Sequence, residues 1–367
     1  MKTKPLNVVV TSLGVSSPNG NSITSFAKNY SQKDIGCRRH IDDGNLEKDL
    51  SNFSTVNQRR MDRLTKITMM AAVDCLDKVQ LSVDESNIND VGGIFCSSYG
   101  PIASARDFIH SGFKLGLNSA SPLIFPYTVI NSAPGAIAVL MKTRGFSTTV
   151  QGYNPIAYAF DVIRNKKAKA ILAGGFDELS PELEKAYLNR TIVDENGTKK
   201  PSAIANVSEG SAMLFLEEEE FAIGRKSEIL FKLCNYSVSS NLQYTEESID
   251  NFGFISAECI YKTMTSALER SEIERSKISL IISLAREDSH QIESEKEALK
   301  KIWPEKIPEV YYPKPNLGET LGASDCFAMI VGYLRGLEIK HSKTSPIYVV
   351  VNSYHIGGNC FSMIIEV

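Results

Sequence analysis

Short runs of aliphatic and β-branched residues alternate along the chain with stretches whose apolar residues recur every three or four positions. Val8 to Val10 forms the centre of a strand. Between Asn57 and Val79, the residues Met61, Leu64, Ile67, Ala71 and Leu76 fall on or near one stripe, a spacing that predicts a helix. Gly92 to Cys96 reads as a strand that leads into the turn Tyr99-Gly100-Pro101. Ser121 to Leu140 reads as a loop followed by an apolar helix. Ala168 to Gly175 reads as an apolar strand ending on two glycines, the kind that suits a sheet covered on both faces.

A second set of elements follows. Ser211 to Glu217 and Ile229 to Tyr236 alternate like strands, Ser256 to Leu268 is helical, and Leu280 to Leu284 is a buried strand. Leu321 to Leu334 is an apolar helix rich in small residues, and Ile347 to Val351 and Phe361 to Ile365 are the last strands. The pattern predicts an α/β fold with two sheet-forming halves and no low-complexity linker. The charged runs Glu217 to Glu220 and Glu293 to Lys301 are expected as solvated edges and helix faces.

Composition narrows the function classes. The 367 residues exceed a typical single domain, so two fused domains or one large two-part fold is expected. With 40 Lys+Arg against 43 Asp+Glu, the net charge of -3 disfavours dedicated nucleic-acid binding. No apolar run approaches the roughly 18 residues that span a bilayer. Thr11, Ser12, Ser16 and Ser17 break the N-terminal apolar stretch, so it reads as a strand and not a signal peptide, and a cytoplasmic location is expected. The 7 cysteines are scattered and form no CxxC, which argues against a disulfide framework or a zinc site.

Taken in order, seven segments resemble one family along nearly the whole chain, the β-ketoacyl synthases of the thiolase-like superfamily. They are VVVTSLGVSSPNGN, NQRRMDR, SPLIFPYTVINSAPGAIA, AKAILAGGFDELS, SEGSAMLFLE, KPNLGETLGAS and NSYHIGGN. The resemblance implies a five-layer αβαβα fold of two similar halves, here 1–225 and 226–367, and a dimer whose central sheets join across a two-fold or pseudo-two-fold axis. It also implies that Gly357 and Gly358 let the backbone approach a bound thioester closely.

The resemblance further implies a Cys nucleophile at a helix N-terminus, where the helix dipole lowers the thiol pKa, and two histidines that support decarboxylation and stabilise the enolate. Between Gly145 and Lys167 there is no cysteine, nor is there one anywhere between Cys96 and Cys234. Counting forward from Gly145 puts Asn154 at the nucleophile position; matching the Glu-Gln signature of chain-length factors puts Gln151 there. The first histidine position falls on Arg286 and the second on Glu319, while Lys314 keeps the family lysine. All three members of the Cys-His-His set are missing. An Arg286–Glu319 or Lys314–Glu319 contact is expected to close the old pocket, because a buried charge is costly unless paired. His290, His355, Cys96, Cys326 and Cys360 are expected as structural residues.

A catalytically empty member of this family resembles a chain-length factor. Such a subunit forms a heterodimer with an active ketosynthase and sets how far the acyl chain grows in a type II polyketide or aryl-polyene system. The resemblance then assigns tunnel and interface positions to Ile102, Ala105, Phe108, Phe125, Tyr127, Asn131 and Ile356. It implies no cofactor or metal on this chain. Phosphopantetheine arrives on the acyl carrier protein, which is bound mainly by the partner. Two other readings are open: an atypical condensing enzyme acylated at Cys96 or Cys360, and a homodimeric acyl-binding scaffold.

Overall fold

A computed structural model of the chain describes residues 6–30, 37–53, 61–116, 118, 120–188, 191–193, 199–201, 206–244, 253–285, 289–341 and 345–367. The strands are β1 (Val8–Ser16), β2 (Val91–Cys96), β3 (Ser147–Val150), β4 (Ala170–Asp177), β5 (Thr191–Val193), β6 (Lys199–Pro201), β7 (Gly210–Glu218), β8 (Phe231–Ser240), β9 (Ile278–Ser283), β10 (Glu309–Tyr311), β11 (Tyr348–Tyr354) and β12 (Asn359–Glu366). The helices of the first half are α1 (Ile23–Tyr30), α2 (Asp43–Ser51), α3 (Arg63–Val79), α4 (Ile102–Leu115), α5 (Ser132–Met141), α6 (Pro155–Arg164), α7 (Pro181–Leu188) and α8 (Glu219–Gly224). Those of the second half are α9 (Ala257–Ser271), α10 (Ser289–Ile302), α11 (Lys314–Leu317) and α12 (Ser324–Lys340).

Strand order repeats. One set runs β3-β2-β4-β7-β1 and the other β10-β9-β11-β12-β8, so each half places its strands in the same sequence. The directions repeat as well: β2 is parallel to β3 and β4, as β9 is to β10 and β11, while β7 and β12 run antiparallel to their neighbours. The halves meet where Val8–Val10 of β1 pairs with Phe231–Leu233 of β8.

Burial explains the layering. Both α6 and α12 pack into the largest apolar cluster, between strands of the two halves. From Ser324 to Gly332 every residue of α12 is buried, and a helix apolar all round belongs between sheets. The outer faces are covered by α3 and α5 on the first half and by α9 and α10 on the second. The result is the expected five layers.

Two local expectations change. The predicted helix from Asn57 begins instead at Arg63, because Asp62 caps it by accepting from the Thr65 amide; residues 54–60 lie outside the described residues. The charged runs are not wholly solvated. Glu217 is fully buried, bound by Arg225 through Nε and Nη2 at 2.6 and 2.7 Å and by the Thr11 hydroxyl. Glu295 is also fully buried, accepting from Ser283 at 2.8 Å and Tyr354 at 2.6 Å. Each carboxylate is tolerated inside because hydrogen bonds replace its water.

Candidate functional site

The ends of β2 and β11, the turn after β3, the residue after β9 and the start of α12 converge on a cavity of about 250 Å³. Asp177, at the end of the AGGFD strand, organises its floor. Its carboxylate accepts from Ser97 Oγ at 2.7 Å and from the amides of Ser98 at 2.7 Å, Tyr99 at 3.1 Å, Gly100 at 3.2 Å and Gly322 at 2.8 Å. Burial pushes this carboxyl upward against those donors. The two halves touch closely here: a Cβ on Gly175 would stand 2.1 Å from the Gly322 carbonyl, and one on Gly322 would stand 2.6 Å from the Ser97 Cα. No larger residue fits either position.

Glu209 of the SEGSA segment builds the neighbouring support. It accepts from the Ile41 and Leu179 amides at 2.6 and 3.1 Å and from Arg63, so the arginine-bearing helix start is tied to β7. On the α4 side, the buried Glu178 accepts from the Ala103 amide at 3.1 Å. Burial pushes the Glu178 carboxyl up to about 7.

The two expected histidine positions fare differently. Arg286 lies outside the described residues, so the Arg286–Glu319 contact does too. Lys314 Nζ lies 2.6 Å from Glu319 Oε2, as expected for the alternative contact. Ser324 Oγ and the Leu321 amide also donate to Glu319, at 2.7 and 3.1 Å. Burial works to raise the Glu319 carboxyl, but the Lys314 ammonium and these donors outweigh it and leave it below the ordinary value.

Both candidate nucleophile positions flank the cavity at Gly152, which lines it. Asn154 is buried and caps α6, accepting from the Ile156 and Ala157 amides at 2.9 and 3.0 Å. Gln151 is exposed and donates to the Ser98 carbonyl at 3.3 Å. Cys96 lines the cavity, and burial raises its thiol above the ordinary range, with Asp325 and Asp177 adding to the effect. Cys326 and Cys360 are buried and free.

The tunnel and interface positions separate. Ile356 lines the cavity, but Ile102, Ala105, Phe108, Phe125, Tyr127 and Asn131 do not. Ile102 packs beside Leu179, Leu183 and Leu321. Phe108 on α4 meets Phe125 at 5.5 Å between ring centroids, and the turn Phe125–Thr128 packs against both α4 and α5. This surface is apolar and open: Phe113, Leu123, Phe125 and Val139 are 86%, 73%, 57% and 78% exposed. Its side chains come from α4, the segment around the Phe125–Thr128 turn and α5.

The two glycines in the last loop have different surroundings. A Cβ on Gly357 would meet nothing within 4 Å. Gly358 has φ +89, a conformation that disfavours other residues, and a Cβ there would meet Leu242 Cβ at 2.9 Å. Turn geometry accounts for glycine at 358, while Gly357 lines the cavity.

His355, expected as a structural residue, is hydrogen-bonded: its Nε2 lies 3.0 Å from Asp325 Oδ2 on α12. Asp325 escaped the sequence reading. The signal for Asp325 was a charged residue inside an otherwise apolar, small-residue helix. Among the described residues, no group of three His, Cys, Asp or Glu side chains is placed to hold a metal ion, and no helix is long and apolar enough to cross a membrane.

The profile of the beta-ketoacyl synthase N-terminal domain matches residues 39–222, half of the chain, and the chain belongs to the β-ketoacyl synthase family. A curated relative, 3-oxoacyl-acyl-carrier-protein synthase 2 of Vibrio harveyi, is 24% identical over 417 aligned positions covering 98% of each chain. The enzyme of the same name from Staphylococcus aureus is 22% identical, covering 93% of this chain and 87% of that one. Among solved structures, the ishigamide ketosynthase/chain length factor superposes with TM-score 0.78 at 17% identity, over 99% of each chain. A type II polyketide acyl carrier protein in complex with its ketosynthase bound to the hexaketide gives TM-score 0.79 at 16% identity, over 99% of this chain and 100% of that one. The fold is therefore thiolase-like.

Proposed function

We propose that this chain is a non-catalytic chain-length factor that pairs with an active ketosynthase during decarboxylative condensation on an acyl carrier protein. The observation that carries the reading is the content of the old catalytic pocket. No cysteine lies between Cys96 and Cys234, and the second histidine position holds Glu319 in an ion pair with Lys314. Neither Asn nor Gln forms an acyl thioester, and a carboxylate cannot donate a hydrogen bond to a developing oxyanion.

The open apolar surface of α4, the Phe125 turn and α5 supports the partner half of the reading. A patch of this kind rarely stays bare on a monomer. Phe108, Phe125, Tyr127, Asn131, Ala105 and Ile102 act there as interface and tunnel residues, with Ile356 as the gate. The thioester chemistry and the phosphopantetheine arm are then handled by the partner. We assign the pathway to the aryl-polyene or short aromatic polyketide class and the location to the cytoplasm.

The test is to tag the chain, express it with its neighbouring genes and measure the mass and composition of the complex. A one-to-one heterodimer with a Cys-containing ketosynthase is expected. A homodimer without a partner overturns the reading. Acyl labelling of the isolated chain at Cys96 or Cys360 favours an atypical condensing enzyme instead; the raised Cys96 thiol opposes that outcome, since the thiolate is the nucleophile.

A further inference from the structure

The repeated strand order makes the outer helices of the two halves equivalent. Helix α3, between β1 and β2, corresponds to α9, between β8 and β9, and α5 corresponds to α10. Each pair leaves a hollow at its C-terminal ends, and the two hollows are lined in opposite ways. Between α9 and α10 the hollow is about 350 Å³ and is lined by Glu269, Glu272, Glu274, Arg275 and Lys301 among others. Arg275 Nη1 donates to the Ile302 carbonyl at 2.7 Å, and the Trp303 indole donates to the Arg275 carbonyl at 2.9 Å. These bonds tie the end of α10 to the turn before β9.

Between α3 and α5 the hollow is about 380 Å³ and its walls are apolar. Buried Val73, Val91 and Phe215 form the floor, with Met141, Leu76 and Val83 around them. Among the described residues, no hydrogen bond or ion pair joins segment 81–83 to α5, so the space stays open where the second half is tied. Asp77 and Lys142 stand exposed at the mouth, and neither makes an ion pair among the described residues. One anion and one cation leave the mouth without net charge.

We propose that this hollow is a binding site for a linear aliphatic chain that ends in an uncharged polar group. A concave apolar site of this volume with a few polar groups at its rim is the usual form of a small-molecule site. Each methylene that enters covers apolar wall otherwise left to water. A charged head gains nothing, because Asp77 opposes a carboxylate and Lys142 opposes an ammonium. An uncharged hydroxyl meets neither penalty, and the exposed Ser82 hydroxyl at the rim offers it a partner. The site is separate from the Asp177 cavity: the two share no lining residue, and this one lies under α3 and α5, on the face of the sheet away from α6 and α12.

The test uses the isolated full-length chain, so its outcome is independent of whether the chain pairs with a ketosynthase. The probes are n-butanol, n-hexanol and n-octanol, and the readout is the NMR methyl resonance of Met141, the methionine that lines the hollow. Its shift is expected to saturate, with affinity rising about fourfold per added methylene. The methyl of Met329, inside α12, is expected to stay in place. Val83→Trp, which fills the hollow, is expected to weaken n-octanol binding about tenfold, the loss of roughly two buried methylenes. The proposal is overturned by a Met141 shift that never saturates, or by unchanged affinity in Val83→Trp. It is also overturned if octanoate or octylamine binds about tenfold more tightly than n-octanol. If Val83→Trp fails to fold, Val83→Asp, which sets a charge against the chain, decides. Weakening of about tenfold supports the site, and unchanged affinity overturns it.

Discussion

Lys314 and Glu319 form an ion pair of 2.6 Å across the short loop that links α11 to α12. It occupies the place where the family resemblance calls for a lysine and a histidine. Ser324 Oγ holds the same carboxylate at 2.7 Å.

Removing the cation leaves the Glu319 carboxylate underpaired in a buried place. Lys314→Met is expected to lower stability by about 2 kcal/mol, read as a drop in urea midpoint at neutral pH. The sign with pH follows from the lowered carboxyl. Its contribution is present above the unfolded value of 4.5 and is lost as pH falls through the lower folded value. The variant and the wild type should converge in acid.

Glu178 behaves in the opposite sense. Its carboxyl is raised to about 7, so the folded state binds the proton more tightly and stability falls as pH rises from 4.5 through that value. Glu178→Gln is expected to stabilise the protein by about 1–3 kcal/mol near pH 8 and to change little near pH 5. Thermal unfolding at the two pH values checks this.

Asn154 and Gln151 separate by stability even though neither is reactive. Asn154→Ala removes the cap of α6 and is expected to cost about 1 kcal/mol, with Asn154→Asp nearly neutral. Gln151→Ala, at an exposed site, should stay within about 0.5 kcal/mol of wild type. Chemical denaturation of the three variants reads the difference.

The open apolar surface of α4, the Phe125 turn and α5 is tested by charge. Phe113→Glu and Phe125→Glu are expected to weaken ketosynthase association at least tenfold while leaving the melting temperature of the isolated chain unchanged, since both rings are already largely exposed. Size-exclusion mass measurement of the co-expressed pair reads the outcome.

Tunnel shape is tested by size. Within the heterodimer, enlarging Ala105 to Phe or trimming Phe108 to Ala is expected to shift product length in opposite directions without abolishing turnover. Product mass spectra across the series check it, and a length that never moves removes the tunnel assignment.

The period of the apolar residues was enough to place most strands and helices, because α12, β4 and β12 are buried by pattern alone. The glycine-rich motifs located the site for a physical reason: Gly175 and Gly322 sit where the halves approach too closely for a side chain. What stayed hidden was long-range pairing. Glu217 and Glu295 looked like surface charge, since a run of acids gives no sign that one member turns inward to Arg225 or to Ser283 and Tyr354. The His355–Asp325 pair joins residues 30 apart on different elements, and no local periodicity encodes it. Phe108, Phe125 and Ile356 were all assigned by the family resemblance; Phe108 meets Phe125 away from the cavity, and Ile356 lines it.

The repeated strand order leaves the sheet with two unlike ends. At one end, β10 is three residues long, Arg335 lies 3.5 Å from Glu309 and its guanidinium lies over Tyr311, so charge and bulk blunt that edge. At the other end, β3 is the short run Ser-Thr-Thr-Val, and none of its side chains is fully buried. The two edges therefore differ in what they offer a neighbouring strand: one is blunted by charge and bulk, and the other presents its backbone groups beside small side chains.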